Sequence, residues 1–469
     1  MRYWSSSLSY FKSQDVLKDN QLANNLRLTA SNGNADMLSS PLVSKPPVVI
    51  KQPAVPQPLA VPKPHVANES DENTTHMHHR YVICSSYWEQ QSNALLNLFS
   101  LQRWANSVGL TTVEPFVCQS ELKFPPEVLN NNTLINALRL RDIIDLDYWN
   151  AQVTNAGVPP LESWENFVLH SAKRIILVIL PYSGAGGIYA NDEINKHPEC
   201  QKKISDFYSK HSMIFNLMQI EVVRNVCISF DHYIIPPETF NAGLQIDDYK
   251  DDITVWINEW EGVDNGRVSF TGLQLNQFGR ILEGEGKYLS MVKPSRRLVT
   301  DSRRYVHQVL GVDFYQYDAV VARHKMHGGH GPEWNVHYFN YCASRLEMHT
   351  KSSTNKMSLS IDLGKYGDQC NMDRLDYDSQ HNYTGHGVDL FKRYLGIVYE
   401  NKTIDDYEND FVRVSNGITD SGYIGGLQRT IALHAKRVFL VGGHSSYLNI
   451  ITAHFVRENK RNAVTKICF

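Results

Sequence analysis

The chain has no apolar run long enough to cross a bilayer. Its most hydrophobic stretches, such as "RIILVIL" at 174–180, fall well short of the roughly 20 residues that a spanning helix needs. It also lacks an excess of either charge: 46 Lys and Arg against 49 Asp and Glu leave a net charge of -3 and a pI near 6.7. Basic residues are scattered and form no arm, so neither nucleic acid nor an anionic membrane surface is an expected partner. Cysteine is sparse, at positions 84, 118, 200, 227, 342, 370 and 468, with no C-x-x-C spacing to suggest a zinc site. The odd number leaves at least one unpaired. Cys342 with Cys370, or Cys84 with Cys118, are pairings that an oxidising lumen would permit, and buried thiols are the alternative. The opening "MRYWSSSLSYF" is too polar for an anchor or a signal-peptide core.

What is present is a globular composition, 42% hydrophobic and 20% charged over 469 residues, enough for two or three domains. Residues 1–40 are polar and rich in Asn and Ser, and residues 41–64 carry a proline every few positions. The segment 1–79 therefore reads as a disordered, Pro-rich stem or linker. From Arg80 the pattern alternates between strand and helix. "RYVICS" is a strand; "EQQSNALLNLFSLQRWANSV" is a helix with Leu95, Leu98, Phe99, Leu101 and Trp104 on one face; "TTVEPFV" is a strand. Helical patterns at "RDIIDLDYWNAQV" and "SWENFVLHSA" lead to the strand "RIILVIL", the loop "PYSGAGGIY", a helix over 198–217 and the strand "EVVRNVCISF". A second unit from residue 291 repeats the rhythm through "SRRYVHQVLG", "QYDAVVAR", "WNVHYFNYCASRLEMH", "MSLSIDLG", "VDLFKRYLG", "IVYE" and "GGLQRTIALHA". The expected class is α/β, with units at 80–290 and 291–469 and a cleft between them.

Chemistry is concentrated where strands of the second unit end. In "KRVFLVGGHSSYLNIITAHF" (436–455), a strand stops at Gly442 and Gly443 and a helix follows, with Tyr447, Ile450, Ile451, His454 and Phe455 at helical spacing. The glycines let backbone approach a ligand closely, and Ser445 or Ser446 would cap the helix. Free N–H groups and the positive pole of the helix then face outward as an anion site. Arg323 ends "AVVAR", where a guanidinium can grip a diphosphate with paired hydrogen bonds. Asp362 ends "LSID", where a carboxylate can bind a ribose or a base amino group. In open sheets, ligands sit at these carboxyl ends.

Competing features are weaker. His324, His327, His330 and His337 cluster in "RHKMHGGHGPEWNVHY", but glycines interrupt them and no cysteine completes a zinc set. "PYSGAGGIY" lacks the lysine of a phosphate-binding loop. Sequons begin at Asn68, Asn73, Asn131, Asn382 and Asn401.

The order of "SSYWEQQSNALLNLFSLQRWANSVGLTTVEPF", "AVVAR", "LSIDLGKYG" and "DSGYIGGLQRTIALHAKRVFLVGGHSSY" resembles the GDP-fucose protein O-fucosyltransferase superfamily over roughly residues 80 to 460. The resemblance implies a GT-B fold, two Rossmann-like domains facing a cleft, with the donor on the C-terminal one and the acceptor on the N-terminal one. It implies that Arg323 binds the donor diphosphate and that Ser445 and Ser446 contact its phosphates beside Gly442 and Gly443. His324 becomes a donor contact or acid-base helper. Asn93 and Glu89, from the first loop and helix, would meet the donor and serve as general base. The chain departs from the family there: the loop's glycines are absent, and Tyr87 and Trp88 are bulky.

The implied activity is inverting transfer of fucose from GDP-fucose to a hydroxyl of a protein or glycan, without metal or other cofactor. The alternatives are an inactive sugar- or nucleotide-binding protein on the same fold and a sulfotransferase-like enzyme. The expected compartment is the Golgi or endoplasmic reticulum lumen if an N-terminal anchor is missing from this chain, and otherwise the cytoplasm.

Overall fold

Short β-branched runs form the strands of this protein and period-3.6 patterns form its helices, in the expected alternation. The computed structural model describes residues 80–87, 91–118, 121–123, 138–170, 173–179, 187–229, 237–249, 252–258, 292–323, 332–351, 353–361, 386–442 and 446–468. All belong to one unit, Thr74–Phe469. The stem at 1–79 and the expected boundary at 290–291 lie outside the described residues.

The first half contributes β1 (Arg80–Cys84), β2 (Thr111–Thr112), β3 (Phe116–Cys118), β4 (Glu121–Lys123), β5 (Leu138–Arg139), β6 (Arg174–Ile179), β7 (Gly187–Ala190), β8 (Glu221–Ser229) and β9 (Ile253–Ile257). Its helices are α1 (Gln91–Ser107), α2 (Leu140–Ile143), α3 (Leu146–Asn155), α4 (Trp164–His170), α5 (Pro198–Met218) and α6 (Pro237–Leu244). Six strands form a sheet in the order β2-β1-β9-β6-β8-β7, parallel except for β7. Both faces are covered. Val82 and Cys84 join one apolar cluster while Tyr81 and Ile83 join another, which explains why these strands read as unbroken apolar runs. On α1, Leu95, Leu98, Phe99, Leu101 and Trp104 are all buried, as their spacing predicts.

Three local expectations change here. "TTVEPFV" is two strands: β2 pairs with β1, whereas β3 belongs to a small antiparallel sheet, β4-β3-β5. The break falls at Glu114, whose fully buried carboxylate accepts from Arg139 at 3.3 Å and Arg141 at 2.7 Å. The end of "PYSGAGGIY" is strand β7, because its backbone pairs with β8. The central strand β9, "ITVWI", went unread although all five residues are buried.

The second half contributes β10 (Asp318–Ala322), β11 (Met357–Ile361), β12 (Arg437–Val441) and β13 (Val464–Ile467), in a parallel sheet of order β11-β10-β12-β13. Its helices are α7 (Arg296–Tyr305), α8 (Pro332–Thr350), α9 (His386–Val398), α10 (Ile404–Val414), α11 (Ser421–Leu433) and α12 (Ser446–Arg457). "IVYE" is not a strand. Leu390, Phe391, Tyr394, Leu395 and Val398 continue one buried helical stripe, and Tyr399 N–H still donates to the Leu395 carbonyl at 2.7 Å. Helix α11 is the most enclosed: Asp420 caps it, and Tyr423 ties it to α7 by donating to Asp301 at 2.6 Å. Burial, with that carboxylate, pushes the Tyr423 hydroxyl far above its usual range. One apolar cluster runs through both halves, from Val82 and Val255 to Val320 and Leu440.

Neither Cys342–Cys370 nor Cys84–Cys118 forms, and the buried-thiol alternative holds for Cys84. Cys200 is bonded to Cys227 and Cys342 to Cys468, while Cys84 stays a thiol that donates to the Ser86 carbonyl at 3.0 Å. Cys370 lies outside the described residues. Among the described residues, no helix is long and apolar enough to cross a membrane.

Candidate functional site at the strand ends

Parallel pairing puts three strand ends in line. Ala322 of β10 is level with Ile361 of β11 on one side and Val441 of β12 on the other. Arg323 and Gly442 directly follow β10 and β12. Arg323 N–H donates to the Val441 carbonyl at 3.0 Å. Gly442 has φ +106°, and a Cβ there would lie 2.3 Å from the Arg323 carbonyl oxygen. Only glycine permits this approach, because any side chain would meet backbone that cannot move aside. The two residues assigned to one site by sequence are thus in contact.

Helix α12 opens at Ser446, with no acidic residue in its first turn to neutralise its positive pole. Its second residue, Tyr447, is 7% exposed, and the Arg323 guanidinium lies 4.6 Å from its ring centroid. A guanidinium carried on an aromatic face beside a helix start is suited to an anion. Tyr447 was expected only to pack. It also holds a cation, and its hydroxyl donates to the Gly425 carbonyl of α11 at 2.9 Å.

A second cation escaped notice in the sequence. Arg429, 1% exposed within α11, places its guanidinium 5.9 Å from the same ring centroid. The signal was available, since "GGLQRTIALHA" is a mostly apolar helix and a buried arginine is rare. Behind the ring lies a polar string. Ser360 Oγ is 3.4 Å from the Tyr447 hydroxyl and 3.3 Å from Gln428 Oε1; Gln428 Nε2 donates to the Tyr407 hydroxyl at 3.0 Å; Tyr407 donates to the Leu359 carbonyl at 2.9 Å.

Other expected site residues fall elsewhere. Glu89, His324, Asp362, Gly443 and Ser445 lie outside the described residues, as do the side chains of Asn93 in α1 and Ser446 in α12. So do Asn68, Asn73, Asn131 and Asn382; Asn401 is exposed, two residues before the Thr403 cap of α10. Of the histidine cluster, His324, His327 and His330 are outside and His337 is exposed on α8. Among the described residues, no group of three or more His, Cys, Asp or Glu is arranged to hold a metal ion.

No family model matches the chain, and no curated protein does. Among solved structures it is similar to POFUT1 in complex with GDP-fucose, at 9% identity and a TM-score of 0.40, covering 84% of this chain and 99% of that one. It is similar also to POFUT1 in complex with GDP, at 10% identity and a TM-score of 0.40, covering 83% of this chain and 98% of that one.

Proposed function

We propose that the protein is a nucleotide-sugar-dependent glycosyltransferase that seats a donor diphosphate at the strand ends, with GDP-fucose as donor and a protein or glycan hydroxyl as acceptor. The observation that carries the reading is the convergence of Arg323, Gly442 and the start of α12: a guanidinium held on Tyr447, backbone kept bare by a glycine, and a helix pole with no acidic neighbour in its first turn. The choice of guanine and fucose follows the motif resemblance.

On this reading the acceptor hydroxyl attacks the anomeric carbon opposite the nucleotide and passes its proton to Glu89. As the glycosidic bond to phosphate breaks, negative charge grows on the diphosphate. Arg323 and the α12 pole bind that charge more strongly in the transition state than before it, which lowers the barrier. Asp362 then serves the ribose or base, and His324 assists beside Arg323.

A thermal-shift panel of GDP, GDP-fucose, UDP and adenosine 3′,5′-bisphosphate tests the reading. GDP at about 100 times its dissociation constant stabilises a single-site protein by about 2.7 kcal/mol, and Arg323→Ala is expected to remove the shift. No response to any guanine nucleotide sinks the proposal. A response only to adenosine 3′,5′-bisphosphate transfers it to the sulfotransferase class, and GDP binding without sugar turnover leaves a binding protein.

A further inference from the structure

We propose that Asn401 carries an N-linked oligosaccharide, attached before helix α10 is capped. Of the chain's sequons, the one opened by Asn401 is the one whose three residues are all described. Its middle residue is Lys402 rather than proline, so the triplet can extend into an acceptor. The asparagine lies in the turn between α9 and α10 and is exposed. Its φ of +59° is the left-handed conformation that asparagine adopts more readily than most residues with a side chain. The next residue turns to the fold: Lys402 Nζ bonds Asp410 at 2.5 Å and lies 4.5 Å from the Tyr399 ring centroid. A bulky, hydrated group on Asn401 would therefore meet solvent rather than packed side chains.

The cysteines supply an independent observation. Cys200–Cys227 and Cys342–Cys468 are bonds of a kind that forms and persists in an oxidising lumen, and N-linked transfer takes place in that same lumen. In the transfer, Asn401 Nδ2 attacks the anomeric carbon of an oligosaccharide carried on a lipid diphosphate. A C–N bond forms and the C–O bond to phosphate breaks. The lipid diphosphate leaves with the electron pair, the amide gives up one proton, and no oxidation state changes.

Thr403 sets the order of events. Transfer requires the hydroxyl of the third residue, presented in an open triplet. In the fold that hydroxyl donates to Asp406 Oδ2 at 2.6 Å and accepts from the Asp406 N–H at 3.1 Å, as the cap of α10. One hydroxyl cannot serve both, so attachment precedes capping. The Cys342–Cys468 bond encloses the triplet in sequence, and Cys468 is synthesised after Asn401, so that bond closes later still.

The test uses the full-length protein isolated from its own cells. Peptide N-glycosidase F, acting in water enriched in heavy oxygen, returns an occupied asparagine as isotope-labelled aspartate. Labelled aspartate at position 401 is expected by mass spectrometry; asparagine retained there in every copy overturns the proposal. In secreting cells, Asn401→Gly, at ease at φ +59°, should lose the mobility shift of one glycan. Thr403→Ala should lose it too, whereas Thr403→Ser, which keeps a hydroxyl for both triplet and cap, should retain it. An Asn401→Gly chain that migrates with untreated wild type overturns the site. By pulse-chase labelling, the glycan should appear before the Cys342–Cys468 bond, and the reverse order overturns the sequence of events. None of these outcomes bears on the function proposed above, because no residue of the anion seat is involved.

Discussion

The two ends of the four-stranded sheet use arginine in opposite ways. At the amino end, Arg437 is locked to the fully buried Asp318, donating from Nε at 3.1 Å and also from Nη2, and Ser353 at 3.0 Å and Asn355 at 3.2 Å donate to the same carboxylate. That fork is filled by the fold. At the carboxyl end, the Arg323 guanidinium lies 4.6 Å from the Tyr447 ring centroid, beside a glycine and close to a helix start. Position on the strand explains the contrast: parallel strands gather helix N-termini at one end of the sheet, and that end receives anions. A charged residue completed by a buried counter-charge serves stability, whereas the function proposed above assigns Arg323 to an incoming anion.

The largest break in this comparison is expected from Gly442→Ala. Its Cβ would lie 2.3 Å from the Arg323 carbonyl at φ +106°, so strain and clash should together cost roughly 3 kcal/mol or more and displace the strand end. Urea denaturation measures the cost and the GDP shift measures the displacement. A variant with wild-type stability and full GDP response would show that strand ends need not approach so closely.

Asp318→Ala should come next, and it should separate the two ends. Removing a buried acceptor that serves Arg437, Ser353 and Asn355 is expected to cost about 2 kcal/mol, moderated because Arg437 is 44% exposed and keeps water as a partner. The GDP response should survive. If it disappears while the protein remains folded, the amino end is not purely structural and the division of labour fails.

Which of these features the sequence disclosed follows from their range. Strand ends are local, so "AVVAR", "LSID" and "VFLVGG" announced Arg323, Asp362 and Gly442 before any contact was known. The parallel alignment of the strands they follow, β10, β11 and β12, was expected from the alternation of elements. What escaped depends on partners far along the chain. Tyr447 and Arg429 meet only because α11 packs beside α12, and the Cys342–Cys468 bond spans 126 residues. Nothing in the spacing of seven cysteines ranks the possible pairings. Strand β9 was missed for a different reason. "ITVWI" is short and apolar without alternation, and such a run takes its identity from the strands on either side, β1 and β6. "IVYE" failed in the converse way, as a β-branched pair whose helical neighbours outweighed its preference.

The smallest effect expected is a dependence on pH confined to the amino end. Helix α12 starts at the site and carries His454 in its last turn. Burial first, and then the charge of Arg457, pull the His454 ring down from 6.5 to about 4, and Arg457 Nη2 lies 3.0 Å from its Nδ1, a contact that suits a neutral ring. His434, stacked on Phe314 with centroids 4.2 Å apart, is also lowered by burial. The unfolded chain takes up a proton at His454 near pH 6.5 and the folded protein resists doing so until about pH 4. Stability is therefore complete above 6.5, falls as pH drops through that window, and falls no further from this group below about 4. At pH 5 the loss from one such histidine is about 1–2 kcal/mol relative to neutral pH. His454→Gln should flatten the urea-derived stability profile between pH 7.5 and 5 by about that amount. The diphosphate of GDP-fucose is esterified at both ends and does not titrate between pH 7.5 and 5, so the GDP-fucose affinity of the folded protein should not follow the same curve. A profile as steep in His454→Gln as in wild type would remove the acid-sensitive group from the amino end, and a GDP-fucose affinity that fell in step with stability would tie the two ends of the sheet together.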